Sequence, residues 1–103
     1  MFLVLDSDSE LSLLSSVEAA SAHLETIDLE NNEYEMCDET GQGFTALILK
    51  PVAAFSGGDF RLMAIGLPDS ELPTKFIDRA MTFWSQVDSV RTLDDARLHF
   101  QKT

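Results

Sequence analysis

Apolar residues in this chain fall into short blocks separated by polar turns, and the spacing within each block assigns an element. Residues 3–5 (Leu-Val-Leu) predict a strand. Asp6-Ser7-Asp8-Ser9-Glu10 has turn composition, and residues 11–14 fit either a short strand folding back as a hairpin or an irregular segment. Ser15 or Ser16 is placed to cap a helix, and Ser15-Ser16-Val17-Glu18 has capping-box spacing. Val17, Ala20, Leu24 and Ile27 then follow as one helical stripe, so this helix is expected to run to about Thr26. A polar connection over residues 28–33 leads to a strand at 34–38, a turn carrying Gly41 and Gly43, and an apolar run at 44–49. These two strands predict a hairpin, and the second of them fits a central strand covered on both faces.

Pro51 interrupts that strand. Ser56-Gly57-Gly58-Asp59 is another turn, and its apolar flanks at 52–55 and 60–65 predict a second hairpin or meander. Pro73 suits the first turn of a helix. From there Phe76, Ile77, Ala80, Phe83, Trp84 and Val87 share a broad helical face, the best candidate for a core helix. Thr92, followed by Asp94 and Asp95, starts a last helix with Leu93, Ala96 and Phe100 on its apolar stripe and Lys102 near its negative end. Clustered strands with flanking helices predict an α+β fold, a mainly antiparallel sheet of hairpins or a meander with about three helices packed on one face. The length of 103 residues and the absence of repeats or linkers make residues 1–103 a single domain. An apolar share of 45% spread over the whole chain is enough for a packed core and argues against disorder.

Charge changes the picture more than composition does. All seven Lys and Arg lie at or after Lys50, whereas eleven of the eighteen acids precede it. The net charge of −11 therefore resides in the first half of the sequence. Such a chain repels nucleic-acid backbones and anionic lipid, so neither nucleic acid nor membrane is an expected partner, and a cationic protein is. Residues 30–39 concentrate this charge. Glu30, Glu33, Glu35, Asp38 and Glu39 surround Tyr34, a residue type favoured as an interface anchor, and these six are the expected partner-binding residues.

The remaining chemistry is sparse. Asp6-x-Asp8-x-Glu10 begins like a calcium loop, but Leu11 and Val17 stand where that loop requires glycine and glutamate. His23 and His99 lie in different predicted helices, so no metal site is expected. Cys37 is the only cysteine, which forbids an internal disulfide and suits a reducing, cytoplasmic setting; its acidic neighbours oppose thiolate formation. The apolar N-terminal segment is too short for a signal-peptide core or a membrane span. Without a phosphate-binding loop or a nucleophile elbow, neither catalysis nor a cofactor is expected.

Residues 17–35 (Val-Glu-Ala-Ala-Ser-Ala-His-Leu-Glu-Thr-Ile-Asp-Leu-Glu-Asn-Asn-Glu-Tyr-Glu), with Asp38-Glu39-Thr40-Gly41, carry an Ala-rich helix, an Ile-Asp turn, a Glu-Tyr strand and an Asp-x-x-Gly hairpin. Over about a quarter of the chain this pattern resembles small acidic bacterial immunity-type proteins. The resemblance implies a cytoplasmic inhibitor that binds and blocks a toxin, and it assigns no role to any single residue. The alternative reading is a structural or regulatory subunit that forms a homodimer or a hetero-complex through a sheet edge.

Overall fold

Phe2–Asp6 (β1) carries four consecutive apolar side chains, all buried, and lies inside the sheet. The structure is a computed structural model that describes residues 1–31, 33–52 and 58–101, without the side chains of Ile27 and Glu30. Glu10–Leu14 (β2) folds back antiparallel on one side of β1, and Tyr34–Asp38 (β3) pairs antiparallel on the other. Gly43–Lys50 (β4) and Asp59–Ile65 (β5) extend the sheet beyond β3, and Thr82–Ser85 (β6) closes the far edge in parallel with β2. The strand order is β5-β4-β3-β1-β2-β6. The fold is thus α+β with a mostly antiparallel sheet, as the clustering of strands predicts.

Helices cover both faces of the sheet, not one. Val17–His23 (α1) and Thr26–Glu30 (α2) lie on the face formed by Phe2, Val4, Leu14 and Met36. Leu72–Arg79 (α3) and Leu93–Phe100 (α4) cover Leu3, Leu5, Leu11, Leu13 and Cys37 on the other. The reason is the period of two: β1 and β2 are apolar at every position but Asp6, Glu10 and Ser12, so both their faces need burial. Each leucine buried in this way contributes about 1.5–3 kcal/mol.

Local chemistry sets the helix ends. Ser16, not Ser15, caps α1, its Oγ accepting from Ala19 N at 3.1 Å, so Glu18 closes no capping box. Ser15 instead binds Gln86 Oε1 through its N–H and its hydroxyl. The helix ends at His23, and the expected polar connection starts with the short α2. Thr92 caps α4 with a full capping box completed by Asp95. Lys102 lies outside the described residues.

Two further expectations fail for tertiary reasons. The helix from Pro73 stops at Arg79, and Phe83 and Trp84 lie on β6. Phe83 packs with the α3/α4 core, while Trp84 emerges on the opposite face and stacks on His23, ring centroids 5.0 Å apart. Their helical spacing is overridden because the edge of β2 has backbone groups to satisfy, and the β-prone Thr-Phe-Trp-Ser segment supplies the strand. The 44–49 run is not a doubly covered centre: β4 is second from the edge, and Leu47 and Leu49 are 46% and 53% exposed. The partner of β5 is β4 itself, in one register from Gly43↔Ile65 to Ile48↔Phe60 and, past a register shift, at Lys50↔Asp59. Of the strand expected at 52–55, residues 53–55 lie outside the described residues, as do Ser56 and Gly57 of the expected turn, while Val52 follows β4 outside any strand.

Gly41 fixes the β3–β4 connection. Its φ of +88° suits glycine, and a Cβ there would sit 1.8 Å from the Asp69 carbonyl oxygen. Asp69 N donates to Gly41 O at 3.0 Å, so the segment leading into α3 is laid directly on this turn.

Candidate functional site

The antiparallel register of β1 and β3 sets Asp6 opposite Tyr34, at the end of the sheet where the β1–β2 turn emerges. Asp6 builds that turn. Its Oδ1 accepts from Asp8 N and Glu10 N, both at 2.9 Å, and its carbonyl accepts from Ser9 N. Ser9 takes a left-handed φ of 63° to close the loop. From the other side, α2 brings Asp28, whose Oδ2 accepts from the Tyr34 hydroxyl at 3.1 Å, while its carbonyl accepts from Glu33 N. Asp6, Ser7, Asp8, Asp28, Glu33 and Tyr34 thereby border an open concavity of about 230 Å³.

The concavity is a region of uncompensated negative charge. None of Asp6, Asp8, Asp28 and Glu33 makes an ion pair among the described residues. Hydrogen bonding with the Asp28 carboxyl raises the Glu33 pKa above the ordinary carboxylate value, with smaller contributions from burial and from the charges of Asp28, Asp8 and Asp6. Burial pushes the Tyr34 phenol up to about 12, and the Asp28 carboxylate adds to that rise.

Glu33 and Tyr34 are the expected partner-binding residues that border this concavity. Tyr34 is less an exposed anchor than a wall: its ring also lines an inner pocket with Leu29, Met36 and Phe44, and its hydroxyl is held by Asp28. Glu35 lies on the opposite face of the sheet, because adjacent strand residues alternate sides, and Arg79 of α3 binds it with two N–H donors. Asp38 is four residues further along β3, roughly 13 Å away at about 3.3 Å per residue. Its Oδ1 accepts from Thr40 N, Thr40 Oγ1 and Gln42 N, so it organises the β3–β4 turn. Glu39 pairs with the Met1 amino group at 2.9 Å. The side chain of Glu30 lies outside the described residues. The expected single patch around Tyr34 is therefore split between two ends and two faces of the sheet.

Three of the four carboxylates at the concavity, Asp6, Asp8 and Asp28, were not expected there. Their signal is topological: only the β1–β3 register brings the 6–10 turn beside the start of β3. Cys37 is fully buried, and burial, assisted by the Asp38 charge, pushes its thiol up to about 12. His23 stacks on Trp84, and His99 packs edge-on against Phe100 with centroids 4.8 Å apart. Among the described residues, no group of three His, Cys, Asp or Glu side chains is arranged to hold a metal ion. No described helix is long and apolar enough to cross a membrane. Comparison with family models, curated proteins and solved structures returned no match.

Proposed function

We propose that this chain is a non-catalytic binding protein whose acidic concavity receives a cationic group of a protein partner, in the manner of an immunity-type inhibitor that blocks a basic toxin. One observation carries the reading: Asp6, Asp8, Asp28 and Glu33 meet around Tyr34 with no cation among the described residues paired to them, although four Lys or Arg side chains elsewhere are ion-paired. Holding like charges together costs folding stability, and a guanidinium or ammonium group entering the concavity reverses that cost. The same field disfavours nucleic acid and anionic lipid. A buried thiol with a raised pKa is a poor nucleophile, in keeping with binding as opposed to catalysis, and a lone reduced cysteine suits the cytoplasm.

The test is a titration of the labelled chain with a blocked oligo-arginine peptide, followed by amide shifts. Shifts at residues 6–8, 28 and 33–34 that weaken with salt and disappear in Asp28→Asn/Glu33→Gln are the expected result. The assignment fails if Asp38→Asn/Glu39→Gln weakens binding as much, or if the shifts spread evenly over the surface.

A further inference from the structure

The β5 edge of the sheet has the opposite chemistry. Among the described residues, Lys75, Arg79, Arg91 and Arg97 are each ion-paired to a carboxylate, whereas Lys50 and Arg61 are not. Both of these cations lie on the β4–β5 pair: Arg61 is opposite Leu47, and Lys50 is opposite Asp59, whose Oδ1 accepts from Phe60 N. The alternation of the two strands divides this pair, with a register shift between Ile48 and Lys50. Phe44, Ala46, Ile48, Phe60 and Leu62 face the α1/α2 core. Leu47, Leu49, Met63 and Ile65 point the other way, beyond the reach of α3 and α4, and are 46%, 53%, 41% and 49% exposed. In a chain of net charge −11, the described cations that form no ion pair thus coincide with a strip of exposed large apolar side chains. Beside that strip, β5 is the outermost strand, its outer edge unpaired among the described residues. A long apolar edge of this kind is a template for strand addition.

We propose that the outer edge of β5 accepts an extended segment of a protein partner as a seventh strand, which carries on one face, at every second position, apolar side chains beside Met63 and Ile65 and a carboxylate beside Arg61. Charge selects this occupant. A second copy of the chain is a poorer fit, because a two-fold interface sets the same cationic strip against itself and joins two bodies of net charge −11. None of these residues borders the acidic concavity, so the two are testable apart.

The experiment titrates the full chain with a short blocked peptide of sequence Val-Thr-Val-Thr-Glu, whose two valines and glutamate share one face of a strand, and with its counterpart ending in lysine, while following amide shifts and hydrogen exchange. The expected result is perturbation and slowed exchange at residues 59–65 with the glutamate peptide alone. Arg61→Glu and the milder Arg61→Gln each weaken it about tenfold, the worth of a hydrogen bond to a charged group. Asp28→Asn/Glu33→Gln leaves it unchanged. Equal binding of the lysine peptide, or shifts elsewhere on the molecule, overturns the proposal. So does a dimer in light scattering that Met63→Glu dissolves, since the strip then belongs to a second copy.

Discussion

Arg79, at the end of α3, reaches across to β3 and grips the carboxylate of Glu35 with two guanidinium nitrogens. That contact holds the Glu35 pKa below the ordinary value of 4.5, against the opposing effect of burial. A carboxyl depressed in the folded state contributes stability above its unfolded value and loses it as the pH falls through the lower, folded one. Glu35→Gln is therefore expected to destabilise at neutral pH and to match the parent in strong acid. Both side chains are about half exposed, 54% each, so the cost is screened to about 0.5 kcal/mol. Urea unfolding at neutral and strongly acidic pH, in low and high salt, checks the sign and the screening.

Glu33 has the reverse dependence. Its folded pKa is raised, chiefly by Asp28, so its ionised form opposes folding above that pKa, and the opposition fades as the pH falls toward the unfolded value of 4.5. Glu33→Gln is expected to be more stable than the parent at neutral pH, with the gap closing on acidification. Side-chain carbon shifts should show Glu33 titrating above 4.5 and moving down in Asp28→Asn. Equal stability of Glu33→Gln and parent across the range contradicts the electrostatic account of the concavity.

Cys37 lies beside Leu3 on the sheet face covered by α3 and α4, with no exposed surface. A disulfide-exchange reagent at neutral pH should label it only as fast as the fold opens, and at once in denaturant. The unfolded thiol ionises near 9.0 and the folded one near about 12, so stability drops as the pH rises through that window. Cys37→Ser places an unsatisfied hydroxyl in the core and costs about 1–3 kcal/mol.

Trp84 is the only tryptophan, and its stack on His23 joins β6 to the end of α1. His23→Ala is expected to shift the emission to longer wavelength as the ring gains water, with a stability loss of about 0.5–1.5 kcal/mol. An unchanged spectrum places Trp84 away from α1 and contradicts the stack.

Much of this architecture is written in local pattern. The first strand, the Tyr34–Asp38 and Gly43–Lys50 strands, the Pro73 helix start and the Thr92 cap all follow from spacing and end chemistry acting within a few residues. The concentration of charge ahead of Lys50 is equally plain in the chain. What local pattern could not decide was which elements meet. Phe83 and Trp84 fit a helix by spacing, yet unpaired backbone groups at the edge of β2 draw them into a strand. Glu35 and Tyr34 are adjacent, yet the pleat sends one to Arg79 and the other to Asp28. Asp6 and Tyr34 are far apart along the chain, yet they stand opposite each other in register. Secondary structure is a short-range balance of propensity and burial. Side-chain partnership, and with it the site, depends on strand order and register, which only the folded sheet sets.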